Sequence, residues 1–225
     1  MQKSKKKIRK PIKKRKTNNR HQQVRIQKLI LLSLCLLLIL LAAFIITRRH
    51  ITTTAHINST CESYRENVAE QAANYDMSDY VDLILALMMQ ESSGQGTDVL
   101  QSSEGSFNTQ YPQTPNSITD VDYSISCGIQ ELKYSMQKAG VKNAKDIEHI
   151  KLALQGYNFG ADSYFNFLEQ NGITSWSAET SEEFAKMASN ETERSEDDPL
   201  YSTAGHWNYG DQYYPEHVLR YYSVS

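Results

Sequence analysis

Acidic residues are absent from the first 50 positions of this 225-residue sequence, and basic residues are scarce in the remainder. All 26 Asp and Glu residues follow His50, whereas 13 of the 24 Lys and Arg residues precede Leu29. The formal net charge of −2 therefore conceals two segments of opposite sign, and residues 50–225 alone carry −17. Because a strongly negative surface repels other polyanions, this segment is not expected to bind nucleic acid.

Aromatic residues are also absent from the basic N-terminal segment, between Lys3 and Lys28. Without rings on which bases could stack, this segment is not typical of a nucleic-acid-binding tail. We predict that its Lys and Arg residues set membrane topology and contact anionic lipid headgroups, at about 1 kcal/mol for each residue near the surface. The sequence does not indicate any protein partner.

Cysteine is scarce, with three residues in all, and the six histidines form no HExxH motif or other close metal-binding pair. Cys35 lies within an apolar run. Cys61 and Cys127 follow that run, and they could form one disulfide or remain free thiols. We therefore predict no metal site and no cofactor.

The long hydrophobic run Leu29–Ile46 contains eighteen residues and no charge. A helix of this length rises about 27 Å, which is enough to cross the hydrocarbon core of a membrane. Since most of the nearby positive charge precedes the run, we predict a single transmembrane helix at 29–47, with the N-terminus in the cytoplasm. A cleaved signal peptide is the alternative, although its apolar core is usually about 7–15 residues long.

The chain thus divides into four predicted segments. Residues 1–28 form a basic cytoplasmic tail, 29–47 the transmembrane helix, 48–60 a polar tether, and 61–225 an extracellular globular domain. The last segment contains all 14 Tyr and both Trp residues, so it is able to bury a core. Its apolar residues recur at helical spacing, and neither alternating strands nor internal repeats are evident. The predicted fold class is therefore mainly α.

The stretch MSDYVDLILALMMQE is predicted to form a central helix, because it is apolar around nearly its whole circumference. It ends at Glu91, and a long loop rich in Ser, Gly, Asn and Pro follows over residues 92–123. Burial raises the pKa of a carboxyl group, and the negative end of the helix dipole acts in the same direction. A glutamic acid that stays protonated near neutral pH can protonate the leaving oxygen of a glycosidic bond.

Three further features favour an active site over an ordinary exposed helix end. Asp98 lies in the loop after Glu91, close enough in sequence to share a cleft with it. The segment GYNFG places Tyr157 and Asn158 between two glycines, which allow close approach of the backbone. Tyr, Asn and Gln are abundant, and they suit sugars because they combine flat apolar faces with hydrogen-bonding edges.

Several motifs together resemble a known family. They are MMQESSGQGTD with LQSSE, SISCGIQ, LQGYNFG and YGDQYYPEHVLRYY, and they extend over nearly all of residues 76–222. The segment is similar to the CwlT-type lysozyme-like domains of the soluble lytic transglycosylase and goose-type lysozyme superfamily. These are bacterial cell-wall enzymes, some of them small membrane-anchored proteins of the pneumococcal vaccine antigen A type. The resemblance implies a lysozyme-like globular domain behind a single N-terminal transmembrane helix, with peptidoglycan glycan strands as its partner.

The resemblance also implies roles for individual residues. Glu91 would be the acid that cuts the β-1,4 bond between N-acetylmuramic acid and N-acetylglucosamine. Gln101 would line the sugar-binding cleft. Tyr157 and Asn158 would occupy the Ala-Tyr-Asn element that lies beside the acid in the superfamily.

The sequence departs from the superfamily at Asp98, which stands where lytic transglycosylases usually have the glycine of Gly-Leu-Met-Gln. A transglycosylase can work with one carboxyl group, whereas a hydrolase typically uses a second carboxylate to activate water or to stabilise positive charge. We therefore predict a muramidase with Asp98 as base or electrostatic stabiliser, unless this aspartate only binds its own loop. A lytic transglycosylase and a catalytically inactive glycan-binding or scaffold protein are the alternatives.

Four other polar residues lie near these motifs, and three of them have two interpretations each. Ser102 and Ser103 are candidate substrate-binding residues, but they could equally bond the loop backbone. Glu104 is expected to be solvated, although it could orient the loop or contact substrate. Glu131 falls early in a predicted helix, where a negative charge interacts favourably with the helix dipole.

Overall fold

The computed structural model describes residues 22–28, 30–31 and 55–223. The first two stretches are helical and exposed, and they belong to the unit Met1–Thr52, which is separate from the compact unit Thr53–Ser225. Among the described residues, no helix is both long and apolar enough to cross a membrane. Most of the span predicted at 29–47 and the beginning of the tether lie outside the described residues, so both stay predictions.

The compact unit is built from helices, as predicted. They are α1 (Ser59–Ser63), α2 (Arg65–Asn74), α3 (Val81–Glu91), α4 (Val121–Ala139), α5 (Ile147–Phe159), α6 (Ala161–Asn171), α7 (Ala178–Ala188) and α8 (Tyr214–Leu219). A 3-10 turn at Ser78–Tyr80 leads into α3. Within residues 55–223 there is no β-strand, only an isolated bridge between Glu193 and Trp207.

Helix α3 lies at the centre of the fold. Its residues 83–88 are fully buried, and it packs against α1, α2 and α8. A helix that is apolar on every side can bury its hydrophobic surface only when other elements surround it. This burial fixes the position of Glu91, the last residue of α3.

Two glycines allow α4 to approach its neighbours closely. A Cβ atom at Gly128 would lie 2.6 Å from the Leu100 side chain, so α4 contacts the loop that follows α3 at this point. A Cβ atom at Gly156 of α5 would lie 2.5 Å from Ser135 Oγ. Both contacts are shorter than any side chain tolerates, and larger residues would push α4 away from the loop and from α5.

The part of the predicted tether that the structure describes packs against the domain. The Asn58 side chain accepts a hydrogen bond from the Cys61 backbone N–H at 2.7 Å, which caps α1. The same side chain donates to the Ser93 carbonyl at 3.0 Å, and the Ala55 N–H donates to the Arg220 carbonyl at 2.7 Å. The globular domain therefore includes residues before Cys61, the predicted domain boundary.

Cys61 and Cys127 are both free thiols and both buried. Burial raises the pKa of Cys61 to about 11 and also raises the pKa of Cys127. A thiol that stays protonated is a poor nucleophile. The two cysteines are therefore part of the packing and not a reactive pair.

Candidate active site

Glu91 lies at the C-terminal end of α3, where the central helix meets α8. The Tyr214 hydroxyl, at the start of α8, donates a hydrogen bond to Glu91 Oε1. The residue keeps part of its surface open, but its carboxyl group sits among buried atoms. Burial raises the pKa of Glu91 to about 7, the hydrogen bond from Tyr214 opposes this, and the charges of Asp98 and Asp211 add to it. The prediction of a protonated acid near neutral pH is consistent with this environment.

Two tyrosines accompany Glu91. Tyr214 is 2% exposed, and Tyr157 of α5 donates its hydroxyl to the Leu100 carbonyl at 2.7 Å. Burial, reinforced by the nearby Glu91 charge, raises the pKa of both phenols well above the ordinary value. Both tyrosines therefore stay protonated and act as hydrogen-bond donors, one to the acid itself and one to the loop.

Asp98 has a very different environment. It is 3% exposed, and its carboxylate accepts five hydrogen bonds. Ser102 and Ser103 each donate a backbone N–H and a hydroxyl, and Ser124 of α4 donates its hydroxyl at 2.7 Å. Because both of its oxygens accept hydrogen bonds, Asp98 holds the loop to α4. Its negative charge also acts electrostatically on Glu91.

The two serines that are candidate substrate-binding residues make hydrogen bonds within the same loop. Ser102 is 4% exposed, and its single hydroxyl proton is shared between the Ser124 carbonyl at 3.0 Å and Asp98 Oδ1 at 3.4 Å. Ser103 is 1% exposed, and its hydroxyl accepts from the Ile118 N–H at 3.0 Å. In this conformation their hydroxyls contact the loop backbone and Asp98, which is the second of the two interpretations above.

Gln101 has a partly exposed side chain and a left-handed backbone, with φ of 47°. Its side-chain amide donates to the Asp98 carbonyl at 2.9 Å and to Asn116 Oδ1 at 2.8 Å. The amide group therefore spans two parts of the loop after α3. Because the side chain is not buried, it remains able to contact a ligand as well.

Asn158 connects α5 to the segment before α8. Its Oδ1 accepts a hydrogen bond from the Asp211 backbone N–H at 2.7 Å. A Cβ atom at Gly210 would lie 2.6 Å from the same oxygen, so this glycine is needed for the approach. The buried Arg194 guanidinium holds the segment from the other side, with Nη2 donating to the Gly210 carbonyl at 2.6 Å.

Asp211 was not singled out by the sequence, although it lies in one of the motifs that carry the resemblance. It is 8% exposed, and its Oδ2 lies 2.6 Å from Nδ1 of His217. Its negative charge adds to the rise in the pKa of Glu91. Tyr214 was missed in the same way, because a tyrosine inside an aromatic-rich motif carries no local sign that its hydroxyl meets the acid.

The two remaining acidic candidates differ in exposure. Glu104 is exposed. Glu131 lies in the middle of α4 and not early in a helix, so the expected interaction with the helix dipole was wrong. It is partly exposed, and Ser106 donates its hydroxyl to Glu131 Oε2 at 3.2 Å. Among the residues that the structure describes, no group of three or more His, Cys, Asp or Glu side chains is placed to hold a metal ion.

The compact unit is mainly helical, and a glutamic acid with a raised pKa lies at the end of its central helix. The lysozyme-like family model matches residues 59–222, and the chain belongs to this family. The resemblance inferred from the sequence motifs is thereby confirmed, as is the mainly helical, lysozyme-like fold of the compact unit.

Several known proteins are similar to this chain. The bifunctional muramidase/DL-endopeptidase CwlT of Bacillus subtilis is 31% identical over 168 residues, which are 75% of this chain and 43% of that protein. The uncharacterized membrane protein YocA of Bacillus subtilis is 33% identical over 175 residues, covering 75% of this chain and 71% of YocA. Pneumococcal vaccine antigen A of Streptococcus pneumoniae is 36% identical over 113 residues, 49% of each chain.

A solved structure is similar as well. It is a Staphylococcus aureus protein described as similar to a lipoprotein of the NLP/P60 family, with a TM-score of 0.61 and 29% sequence identity. The match covers 76% of this chain and 55% of that one. The chain thus spans less than half of the length of CwlT and just over half of this structural relative.

Proposed function

We propose that this protein is a peptidoglycan glycosidase that cleaves the β-1,4 bond between N-acetylmuramic acid and N-acetylglucosamine. The observation that carries the proposal is the Glu91 carboxyl group, buried beside Tyr214 with a pKa of about 7. An acid of this pKa is partly protonated at neutral pH and can still give up its proton during the reaction. Membership of the lysozyme-like family and the similarity to a protein named as a muramidase support the same activity.

In this mechanism Glu91 donates its proton to the bridging oxygen as the bond to the muramic acid C1 atom breaks. The ring that remains acquires oxocarbenium character, and negative charge nearby stabilises it. Asp98 and Asp211 supply such charge, since both act electrostatically on Glu91. Tyr214 holds the Glu91 carboxyl group in place through its hydrogen bond.

The fate of the cleaved strand has two candidate outcomes. Hydrolysis by a muramidase is our first proposal, with Asp98 as an electrostatic stabiliser, and the CwlT relative supports it. The environment of Asp98 favours the second candidate, a lytic transglycosylase. With five donors on its carboxylate, Asp98 has little capacity left to activate water. A transglycosylase needs no such group, because the C6 hydroxyl of the muramic acid is the nucleophile.

Zymography on peptidoglycan with the wild type and Glu91→Gln tests the activity. We expect clearing by the wild type and none by the variant, and equal clearing by both would reject Glu91 as the acid. If the wild type binds peptidoglycan without clearing it, the chain is a glycan-binding or scaffold protein. Mass spectrometry of the released fragments then separates the mechanisms, since reducing ends indicate a hydrolase and 1,6-anhydro ends a transglycosylase.

We also propose that residues 29–47 anchor the enzyme in the cytoplasmic membrane, with the catalytic domain outside. The uncharged run Leu29–Ile46 and the preceding basic residues support this proposal, and so does the relative YocA, which is named a membrane protein. Protease added to intact protoplasts should digest the domain and leave the basic tail protected. A full-length protein recovered in the soluble fraction would contradict the anchor.

A further inference from the structure

Glu91 is the last residue of α3, so its backbone needs support from outside the helix. Helix ends fray unless other groups fasten them, because their last carbonyls have no partner within the helix. Residues 92–94 form a tight turn directly after the proposed acid, and Ser93 within it has a left-handed backbone with φ of 56°. The contacts that hold turn 92–94 therefore also hold Glu91.

Two side chains fasten this turn to different parts of the domain. Ser92 Oγ donates a hydrogen bond to the Val99 carbonyl at 2.7 Å, which ties the turn to the loop that contains Asp98. Asn58 Nδ2 donates to the Ser93 carbonyl at 3.0 Å, which ties the turn to the segment before α1. Asn58 thus connects the end of the central helix to a segment that the sequence predicted to be a tether.

The surroundings of Asn58 show that this segment lies directly against the turn. The Asn58 backbone N–H donates to Met89 Sδ at 3.3 Å, and its Oδ1 caps α1 by accepting from the Cys61 N–H at 2.7 Å. A Cβ atom on Gly94 would lie 3.0 Å from Cys61 Sγ and 3.1 Å from Cys61 N. Few side chains tolerate so close an approach, and the φ of 76° at Gly94 also favours glycine. One amide side chain therefore caps α1 and holds the turn packed on it.

The position of turn 92–94 matters because a general acid works only within hydrogen-bond reach of the oxygen that it protonates. A displacement of about 1 Å in an active site can lower the rate about 10²-fold. Tyr214 holds the Glu91 side chain, but that contact cannot fix the acid if its own backbone moves. Loss of support for the turn should therefore lower the rate of cleavage more than the binding of substrate.

We propose that Asn58 is a positioning residue for Glu91. Its side-chain amide holds the Ser93 carbonyl, fixes the last turn of α3 and thereby fixes the acid. The segment before α1 is then a part of the active-site support and not only a connector. This role rests on the proposed function, since it takes Glu91 as the acid, and Asn58 acts through the Ser93 backbone and not on the substrate.

Two substitutions in the full-length chain separate the two contacts of the Asn58 side chain. Asn58→Ser keeps an oxygen that caps α1 but has no group long enough to reach the Ser93 carbonyl, whereas Asn58→Ala removes both contacts. We expect both variants to lower kcat for peptidoglycan cleavage by about three- to tenfold, the range for one lost hydrogen bond, with KM changed less than about twofold. The midpoint of thermal unfolding should fall further for Asn58→Ala than for Asn58→Ser, because only the former loses the cap.

The pattern of kcat against stability decides the outcome, at a temperature where circular dichroism shows every variant folded. Ser63→Ala is the matched control and should keep the wild-type kcat, since the Ser63 hydroxyl on the same helix donates to the Thr60 carbonyl and not to the turn. A wild-type kcat for Asn58→Ser, with a loss only in Asn58→Ala, would overturn the role, because activity would then follow the cap. A rise in KM at unchanged kcat would overturn it as well.

The same assay separates this role from the proposed function. A wild-type protein that does not clear peptidoglycan would reject the proposed function and the positioning role together. An active wild type that is matched by Asn58→Ser would reject the positioning role alone.

Discussion

Glu91 and Asp98 are separated by only seven positions in the chain, yet the protein treats their carboxyl groups in opposite ways. Within the described part of the chain, the Tyr214 hydroxyl is the one hydrogen-bond donor to Glu91, and burial raises the pKa of Glu91 to about 7. Asp98 is more deeply buried than Glu91 and receives five hydrogen bonds from three serines. The comparison shows two uses of a carboxyl group: at Glu91 burial raises the pKa and one donor opposes this rise, whereas Asp98 accepts many hydrogen bonds and holds a loop.

The difference has a structural origin. Asp98 lies in a loop that folds back on it, so successive backbone N–H groups and hydroxyls point at one carboxylate. Glu91 is the last residue of a helix, where the free backbone groups are carbonyls and cannot donate to it. A carboxylate at that end also meets the negative end of the helix dipole.

The largest expected effect comes from removing the proton donor. Glu91→Gln should lower kcat for glycan cleavage by about 10²- to 10⁴-fold, the usual contribution of a general acid. Steady-state kinetics on purified peptidoglycan measures this change. Because Gln fits the same space, circular dichroism should show an unchanged fold, and a loss below tenfold would contradict the assigned role.

Asp98→Asn should mainly reduce stability. The substitution replaces one acceptor oxygen of the carboxylate by an amide NH2 group, which is itself a donor. This donor would face the N–H and O–H donors of a buried loop. We expect the free energy of unfolding to fall by about 2–4 kcal/mol, as for other buried hydrogen-bonded charges. Denaturant titration measures this loss. Turnover unchanged at a temperature where the variant is folded would show that the charge of Asp98 has no part in catalysis.

Ionisation of Glu91 should also be visible in stability. The pKa of Glu91 is about 7 in the folded state, above its ordinary value of 4.5. The folded state therefore loses stability as the pH rises from about 4.5 to above 7, whereas Gln at this position does not titrate. Relative to Glu91→Gln, the wild type should therefore lose about 1–3 kcal/mol between about pH 5 and pH 8. Parallel curves of unfolding free energy against pH would mean that Glu91 is ionised throughout.

Tyr214→Phe should produce the smallest change, in the pH profile of activity. The hydrogen bond from Tyr214 lowers the pKa of Glu91, so its loss should raise that pKa. The alkaline limb of the kcat profile, expected near pH 7 in the wild type, should move to higher pH by less than about one unit. Asp98→Asn removes a charge that raises the pKa, and it should move the same limb to lower pH. Two shifts in the same direction would contradict this electrostatic account.

The sequence was a good guide to the elements and to one site residue. The circumferential apolar pattern of residues 77–91 predicted a buried helix, and Glu91 is found at its end. The roles of Ser102 and Ser103 could not be predicted, because the choice between a sugar and a loop partner depends on where Asp98 points. Likewise, Tyr214 is 123 positions away from Glu91, and no local pattern indicates a contact at such a separation.

The amino-acid sequence by itself determined which segments are helical, which helix is central and that an acid ends it, because these follow from the spacing of apolar residues along the chain. Only the tertiary structure decided which acid is short of hydrogen-bond donors and which one is saturated. That distinction depends on side chains and backbone groups that the fold brings together from distant segments. The pKa of a carboxyl group is set by this spatial environment and not by its neighbours in sequence.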